Sequence, residues 1–363
     1  MNTRLVTNSK DLIRCTRCVM PETQEAIIFD AEGVCSTCRQ FEIKHAIDWE
    51  KRKEIFREIV GRYKGKGEYD CIVPVSGGKD STFTAYSLVK EFGLKPLLVR
   101  FHHQLLRPVV LRDTDRTVKR LGVDLLEMRT NWQIIKKMIR IGLERKGDIL
   151  WYQHSGIFSF PMHAAIKFNI PLIIWGEPSA EYTSYYGYDE IEEMDERQFN
   201  TYVNIGITAE DMLGFLGDPN VTMRDLWPYK FPELKDLQAI GYKSIFLGSY
   251  IPWDVQAQTK IIQDELGWEG DMVEGVPPEY NYEKIEDMMQ GVQDYLKFIK
   301  RGYGRMSHLA SIDIRNGRLT RDEAMKLVFA WEGKRPPSLD IFLQWMGMAE
   351  KEFNEIAMRH AIV

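Results

Sequence analysis

The strongest sign of chemistry in this sequence is a hexapeptide at residues 76–81 that joins a predicted strand to a predicted helix. It reads Ser76-Gly77-Gly78-Lys79-Asp80-Ser81. Its two glycines let the backbone curl around a phosphate without Cβ clashes, and the turn and the following helix N-terminus favour an anion. The two serines and the lysine add donors, and Asp80 is a candidate Mg²⁺ ligand. The loop is too short for a Walker A loop and lacks the dinucleotide-binding glycine pattern.

The elements that must position this loop alternate between strand and helix from about residue 69. Short apolar runs predict strands at 71–75, 96–101, 124–128 and 171–175. Amphipathic stretches predict helices at 81–92, 111–121 and 157–168. Strands that alternate with helices imply right-handed crossovers and a parallel sheet, so the predicted fold class is α/β.

Glu177 directly follows the run at 171–175, at the strand end where open α/β sheets bind ligands. We therefore take Lys79, Asp80 and Glu177 as candidate catalytic residues, with Glu177 binding Mg²⁺ or orienting a co-substrate. An ordinary capping carboxylate is the alternative for Glu177. The segment 177–196 contains eight acids and no Lys or Arg, and is interpreted as a lid or as a solvated acidic face.

Four of the five cysteines form two Cys-x-x-Cys pairs separated by sixteen residues: Cys15, Cys18, Cys35 and Cys38. Two such knuckles joined by a short hairpin at 27–33 suit tetrahedral Zn²⁺, and four protein ligands predict a structural site. The alternative is four unrelated thiols. The fifth cysteine, Cys71, lies in an apolar run and is predicted to be a buried strand residue.

Three units are predicted along the chain. Residues 1–66 hold the zinc knuckles and a connecting helix at 41–63, residues 67–260 hold the strand–helix repeat, and residues 261–363 are helical. A capping box at Thr320 and Glu323 opens one C-terminal helix. An apolar stripe predicts another; it comprises Ile285, Met288, Met289, Val292, Tyr295, Leu296 and Ile299.

Composition limits the possible partners. The chain has 363 residues and a net charge of −5, which disfavours extended binding to nucleic acid. No apolar run approaches the roughly 20 residues of a membrane helix, and Met1–Lys10 lacks the apolar core of a signal peptide. A cytoplasmic protein with no membrane partner is expected.

One region is nevertheless basic: residues 297–335 hold ten Lys or Arg against four acids. Its arginines are candidates for binding the phosphates of a substrate: Arg301, Arg305, Arg315, Arg318 and Arg321. The alternative is a solvated helix face.

The hexapeptide resembles the PP-loop of the N-type ATP pyrophosphatases. From about residue 13 to about residue 330 the chain also resembles, in order, the N-acetyl sugar amidotransferases of bacterial surface-polysaccharide biosynthesis. The shared segments are 15–23 (Cys-Thr-Arg-Cys-Val-Met-Pro-Glu-Thr), 173–177 (Ile-Ile-Trp-Gly-Glu), 250–254 (Tyr-Ile-Pro-Trp-Asp) and 313–321 (Asp-Ile-Arg-Asn-Gly-Arg-Leu-Thr-Arg). The chain departs from the family pattern at Pro178 and at 151–154, so the resemblance does not specify which sugar is the substrate.

The resemblance implies a PP-loop ATP pyrophosphatase sheet and an ATP- and Mg²⁺-dependent reaction. In that family AMP is transferred to a sugar acetamido oxygen, and ammonia then displaces it to give an acetamidino sugar. The implied substrate is a nucleotide-linked sugar.

This chain shows no glutaminase of its own. Residue 2 is Asn rather than an N-terminal nucleophile, Cys71 lies inside a predicted strand, and the other thiols are assigned to zinc. We therefore expect a separate glutaminase subunit. In the resembled family it looks like the glutaminase of imidazole glycerol phosphate synthase, sometimes with its cyclase-like companion.

Two other functions are weighed against this one. A PP-loop tRNA-thiolating enzyme would share the loop and the knuckles, but catalytic thiolation normally needs further thiols and only Cys71 is spare. A non-catalytic zinc- and nucleotide-binding module is disfavoured by the intact hexapeptide.

Overall fold

The computed structural model describes residues 12–181 and 186–362. Five strands form one parallel sheet in the order β3-β2-β1-β4-β5. Their bounds are β1 Cys71–Pro74, β2 Pro96–His102, β3 Asp124–Arg129, β4 Leu172–Trp175 and β5 Lys243–Phe246. The chain builds the sheet outward from β1 to β3 and then returns to add β4 and β5 on the other side. The direction of winding therefore changes between β1 and β4, the position at which such sheets bind ligands.

The helices of the described residues surround this sheet. Before and within the first half of the sheet they are α1 Ser36–Ala46, α2 Trp49–Gly61, α3 Lys79–Lys90, α4 Pro108–Leu121, α5 Trp132–Lys146 and α6 Trp151–Phe168. Between β4 and the C-terminal region they are α7 Glu196–Gln198, α8 Ala209–Leu216, α9 Met223–Leu226, α10 Leu234–Ala239 and α11 Val255–Leu266. The C-terminal helices are α12 Gln290–Arg301, α13 Arg305–Arg315, α14 Arg321–Trp331, α15 Ser338–Met346 and α16 Glu350–Met358. None of them is both long and apolar enough to span a bilayer.

The central strands are apolar on both faces because helices cover the sheet on both sides. Side chains alternate across β1, so Ile72 belongs to one buried cluster and Cys71 and Val73 belong to the other. The first cluster includes residues of α5, α6, α12, α15 and α16, and the second includes residues of α3, α4, α11, α13 and α14. Helices after residue 261 therefore complete both cores; the division of the chain at residues 66 and 260 stays a prediction.

All four predicted strands and the three predicted helices between them are present. Their bounds lie within three residues of the predicted ones, except that α6 begins at Trp151, six residues before the predicted start. The predicted Thr320–Glu323 capping box is also confirmed: the Thr320 side chain accepts from the Glu323 N–H, and the Glu323 carboxylate accepts from the Thr320 N–H at 2.8 Å. Helix α5 and strand β5 were not predicted, although Asn131 and Gly147 are residue types that commonly begin and end a helix and do so for α5.

Two local predictions were wrong. The helix expected at 41–63 is two helices, because Asp48 accepts from the Lys51 N–H and starts α2 anew. The helix expected from Ile285 begins only at Gln290, after Lys284 with its positive φ of 51°.

The short hairpin expected at 27–33 is present in a minimal form. Phe29 and Cys35 form an antiparallel bridge, and the Asp30 N–H donates to the Val34 carbonyl at 3.0 Å.

The contact between α6 and β2 can be tested at Gly156. A Cβ added to Gly156 would lie 2.5 Å from Cζ of Phe101, whose buried ring also packs against Phe160 and Tyr229. We expect Gly156→Ala to lower the free energy of unfolding by about 1–3 kcal/mol through overpacking. Chemical denaturation followed by circular dichroism measures this change.

The matched control is Gly214→Ala, inside α8, where an added Cβ meets nothing within 4 Å. This substitution is expected to be neutral or stabilising by up to about 1 kcal/mol, because alanine favours a helix over glycine. Equal destabilisation by both changes would contradict the packing argument.

Candidate functional site

The loop at residues 76–81 leaves the C-terminal end of β1 and enters α3, whose N-cap is Gly78. The Ser81 hydroxyl accepts from the backbone N–H groups of Ser76 at 3.2 Å and Gly77 at 3.3 Å. The Gly78 N–H donates to Oγ of Ser76 at 3.2 Å. These bonds hold the loop curled over the N-terminus of α3, which is the geometry that binds a phosphate.

Both glycines have close neighbours. Gly77 has a φ of 89°, and a Cβ there would lie 2.6 Å from Oγ1 of Thr114. The Gly77 carbonyl also accepts from the indole N–H of Trp268 at 3.1 Å. At Gly78, a Cβ would lie 2.8 Å from Oε2 of Glu286. A larger residue at either position would displace the backbone or fill the concave side of the loop.

Lys79 is buried at the start of α3 and bridges two acids. Its Nζ lies 2.8 Å from Oδ2 of Asp80 and 2.9 Å from Oε2 of Glu283. Glu283 is in turn held by Arg305, whose Nη1 lies 3.3 Å from Oε1. Burial lowers the pKa of Lys79, but the charges of Asp80, Glu283 and Glu177 outweigh it and hold that pKa well above its ordinary value. Burial raises the pKa of Glu283, but Lys79 and Arg305 outweigh it and lower that pKa to about 2. Lys79 and Glu283 are therefore both charged.

Glu177 lies at the end of β4, across the switch point from the loop. The preceding Gly176 packs so closely on α3 that a Cβ there would lie 2.7 Å from Oγ1 of Thr84. Burial, followed by the neighbouring Asp80 charge, raises the pKa of Glu177 to about 8, although Lys284 and Lys79 act in the opposite direction. The structure thus brings together the three candidate catalytic residues.

The carboxylates here are well suited to a divalent cation. Oδ1 of Asp80 and Oε2 of Glu177 are buried, and neither has a hydrogen-bond partner within residues 12–181 and 186–362. Around the loop, the cations Lys79, Lys284 and Arg305 are surrounded by a larger set of carboxylates. That set comprises Asp80, Glu177, Glu283, Glu286 and Asp294. A triphosphate would add negative charge to this excess, so the donor set fits Mg²⁺ bound by Asp80 and Glu177.

Sequence reasoning missed several residues of this site. Glu283, Lys284 and Glu286 come from the segment before α12, and Trp268 follows α11. The segment Glu283-Lys284-Ile285-Glu286-Asp287 is unusually charged for a stretch with buried members. That charge was the available signal, but it was hidden by the apolar stripe that begins at Ile285.

The four cysteines of the two knuckles form a separate cluster. All are buried, and their sulfurs lie within 4.8 Å of one another. Sγ of Cys15 is 3.9 Å from that of Cys38, and Sγ of Cys18 is 3.7 Å from that of Cys35. A zinc ion with Zn–S bonds of about 2.3 Å in a tetrahedron would need sulfurs about 3.8 Å apart. The donor set therefore fits one tetrahedral ion.

Backbone N–H groups also point toward these sulfurs. Sγ of Cys15 lies 3.2 Å from the N–H of Cys35 and 3.5 Å from that of Cys18, and the Met20 N–H lies 3.5 Å from Sγ of Cys18. Such donors stabilise thiolates, the form in which cysteine binds metal. Cys71 is different: it is buried in β1, as predicted, and burial raises the pKa of its thiol.

The structure does not gather the five arginines at one point. Arg301 pairs with Glu25, and Arg305 with Glu283 and Asp294. Nη2 of Arg315 donates to the Glu181 carbonyl at 3.2 Å, and Arg318 pairs with Asp254 and Asp313. Nε of Arg321 donates to the Cys18 carbonyl at 3.2 Å. Each guanidinium thus contacts a different part of the chain. Of the five arginines, Arg305 is the one that pairs with Glu283, the acid bound to Lys79.

The acidic segment 177–196 is folded against the protein where it is described; residues 182–185, with Tyr182 and Tyr185, lie outside the described residues. Glu181 pairs with Lys44 of α1 and accepts from the Tyr188 hydroxyl. Glu192 accepts from the Ser179 N–H at 2.7 Å and from Gln198 at 2.6 Å. These two acids are internal partners rather than parts of a solvated face.

Gly78→Val should abolish ATP binding while the protein stays folded. The new side chain would fill the phosphate position, and its nearest neighbour, the end of the flexible Glu286 side chain, can move aside. Calorimetric titration with ATP and Mg²⁺ measures the loss. Gly61→Val, where an added Cβ meets nothing within 4 Å, is the control and should bind as the parent does. Tight ATP binding by the Gly78 variant would refute the assignment of the loop.

Cys18→Ser should lose the bound metal and destabilise the N-terminal unit, because metal binding contributes directly to folding there. Elemental analysis of protein purified without chelator should give about one zinc per chain for the parent and for Cys71→Ala, and much less for Cys18→Ser. Parent protein without zinc, or with iron and sulfide instead, would overturn the assignment.

Comparisons with known proteins agree with this arrangement in part. An uncharacterized protein of Methanocaldococcus jannaschii, MJ1599, is 28% identical over 122 residues, or 33% of this chain and 44% of its own length. The glutamine-hydrolyzing GMP synthase of Pyrobaculum aerophilum is 31% identical over 115 residues, or 31% of this chain and 22% of its own. The chain thus spans less than half the length of these curated relatives.

Among solved structures, the NMN synthetase of Francisella tularensis aligns with a TM-score of 0.39 at 11% identity, covering 78% of this chain and 93% of its own. The U34-tRNA thiolase NcsA of Methanococcus maripaludis, solved with its [4Fe-4S] cluster, gives a TM-score of 0.35 at 12% identity, covering 88% of this chain and 87% of its own. Likenesses this loose carry no conclusion about function.

The C-terminal region is recognised more specifically. Residues 278–361 match the family model of the C-terminal domain of WbpG-like lipopolysaccharide (LPS) biosynthesis proteins. This range includes Glu283, which binds Lys79, and helices α12–α16. Residues 278–361 are thus similar to the C-terminal domain of WbpG-like lipopolysaccharide-biosynthesis proteins, which agrees with the resemblance of the sequence to enzymes of surface-polysaccharide biosynthesis.

Proposed function

We propose that this protein is an ATP-dependent amidotransferase of surface-polysaccharide biosynthesis that converts a sugar acetamido group into an acetamidino group. The observation that carries the proposal is the contact between the phosphate-binding loop and the WbpG-like domain. Lys79 of the loop is paired with Glu283 of that domain, so a nucleotide site and a polysaccharide-biosynthesis domain form one centre.

The chemistry requires activation because an amide carbonyl is resonance-stabilised and its oxygen is a poor leaving group. The acetamido oxygen attacks the α-phosphorus of ATP, forms an O–P bond, and releases pyrophosphate as the α–β bridging bond breaks. Ammonia then forms a C–N bond at the imidate carbon, one proton is released, and AMP departs with the oxygen. The protein's task is to position reactants and to stabilise the charge on phosphate, without a nucleophilic side chain.

Each part of the site has a role in this proposal. The N–H groups at the N-terminus of α3 bind the phosphates, while the N–H groups of Ser76 and Gly78 donate to the Ser81 and Ser76 hydroxyls and fix the curl of the loop. Lys79, held between Asp80 and Glu283, directs its positive charge at the leaving pyrophosphate. Asp80 and Glu177 bind Mg²⁺, which supplies charge neutralisation to the triphosphate when bound.

The four-cysteine cluster is proposed to hold structural Zn²⁺. All four ligands come from the protein and all are buried, so no coordination position is left for a substrate. The single remaining thiol, Cys71, is buried in β1, so it gives no support to thiolation chemistry.

Ammonia is proposed to come from a separate glutaminase subunit. In the described residues, the cysteines are either clustered in the four-thiol site or buried in β1, and neither position provides an exposed nucleophile at a strand-to-helix turn. Nucleotide-linked sugar is the proposed second substrate.

The test is an assay of AMP and pyrophosphate formed from ATP by the purified chain. We expect formation of both to depend on ammonium salt and on a nucleotide-linked N-acetyl sugar, with glutamine unable to replace ammonium. The product sugar should gain one nitrogen and lose one oxygen, a change that mass spectrometry resolves. Thiolated tRNA as the product, or efficient use of glutamine by this chain alone, would refute the proposal.

Glu177→Gln provides the matched variant in the same assay because it keeps the side-chain size and removes the charge. We expect kcat to fall by roughly 10²-fold or more, the scale for loss of a group that stabilises transition-state charge. Glu196→Gln, at an exposed position of the same acidic segment, should leave kcat unchanged.

A further inference from the structure

A cavity of about 520 Å³ lies apart from the loop at residues 76–81. Its walls are the end of α5, one face of α12, and residues 201–205, together with residues near both chain termini. The lining includes Lys146, Tyr202, Gln293, Lys297, Tyr303 and His360. This volume falls within the range of about 300–1,000 Å³ that small-molecule sites occupy.

The cavity is basic in an acidic protein. Five of its lining residues are Lys or Arg and two are acids, Glu25 and Asp148. Two of the cations serve the fold: Nζ of Lys300 donates to the Lys146 carbonyl at 2.8 Å, and Arg301 pairs with Glu25.

The other three cations are not neutralised in this way. Arg145, Lys146 and Lys297 have no carboxylate oxygen within 4.0 Å in the described part of the chain. Lys297 lies over the Tyr303 ring, 4.4 Å from its centroid, and Arg145 lies over the Phe215 ring. Burial, followed by the Arg305 charge, lowers the pKa of Lys297 to about 8. A bound anion would compensate for this unpaired charge.

The shape of the cavity depends on Gly147, which ends α5 with a φ of 57°. A Cβ at Gly147 would lie 3.0 Å from both Cδ2 of His360 and Cδ of Lys300. His360 is held here by its Nε2, 3.0 Å from the Glu144 carbonyl oxygen. Aromatic and cationic groups therefore converge on one opening, as is common where a base or sugar and a phosphate bind together.

The cavity is separated from the catalytic loop by the first turn of α6. Gln293, which lines the cavity, donates to Asp148 at 2.7 Å, and on the other side Gln153 donates to Asp287 at 2.8 Å. Asp287 belongs to the segment that carries Glu283 to Lys79. Desolvation lowers the pKa of His154, in the same turn, whereas the Asp148 charge raises it and the Lys284 charge lowers it further.

We propose that this cavity binds the diphosphate of a nucleoside-diphosphate-linked sugar through Lys146 and Lys297, with the sugar directed past α6 toward the loop at residues 76–81. The assignment rests on the proposed function, because it supplies that enzyme's second substrate. The cavity is built for the anionic end of this substrate, whereas the loop binds ATP.

The test is calorimetric titration of the full chain with UDP, GDP and dTDP. A non-hydrolysable ATP analogue and Mg²⁺ are kept saturating, so that the loop is occupied. We expect at least one diphosphate to bind, and its monophosphate to bind at least about tenfold more weakly. Lys146→Gln and Lys297→Gln should each weaken binding roughly tenfold, the size of one charge-assisted contact.

Controls separate loss of charge from loss of fold. Lys297→Arg keeps the charge and should retain binding, and Lys351→Gln, at an 88% exposed side chain, should bind as the parent does. The proposal would be overturned if the ATP analogue abolished binding, or if monophosphates bound as tightly as diphosphates. It would also be overturned if inorganic pyrophosphate bound in a Lys297-dependent way while no nucleoside diphosphate bound. No turnover is needed, so this result and the AMP assay succeed or fail independently.

Discussion

The buried pair between Lys79 and Glu283 is the interaction on which the rest of this site depends. It joins the phosphate-binding loop to the WbpG-like domain, and its two groups are almost inaccessible to solvent, with side chains 4% and 1% exposed. Desolvating two such charges is costly unless further partners compensate. Asp80 on one side and Arg305 on the other provide that compensation. Removal of Lys79 or Glu283 would take away one partner of the other buried charge, so the loop and the C-terminal domain are energetically coupled.

The same contacts also give the surroundings of the loop an excess of negative over positive side chains. The carboxylates around Lys79 outnumber the cations, so under the proposed function the nucleotide would need to arrive with its own divalent ion. The cavity behind α6 has the opposite balance, with cations in excess. Two neighbouring sites of opposite charge can sort two anionic substrates, one that carries a metal ion and one that does not.

The features that could be predicted from sequence are those that neighbouring residues encode. The glycines of the loop, the Cys-x-x-Cys pairs and the Thr320–Glu323 capping box are each defined within a few positions, and each was predicted. Strands β1 and β4 were predicted because their burial on both faces leaves uninterrupted apolar runs. Glu283 escaped prediction because its role arises only when the segment before α12 folds back over α3. The arginines were misleading for a related reason. They are close together along the sequence, but they belong to different helices and turns, so their side chains do not meet at one point.

The four-cysteine unit binds the C-terminal region as firmly as the loop does. Arg14 donates from Nη1 to the Ser307 hydroxyl at 3.0 Å, two residues from Arg305. Arg321 donates to the carbonyls of Cys15 and Cys18, and Nη1 of Arg301 donates to that of Thr23 at 2.7 Å. The four-cysteine unit and the C-terminal region thus contact each other directly, although the strands of the parallel sheet lie between them along the sequence. In evolutionary terms, recombination that replaced one of these parts alone would break these contacts, so the two are expected to be inherited together.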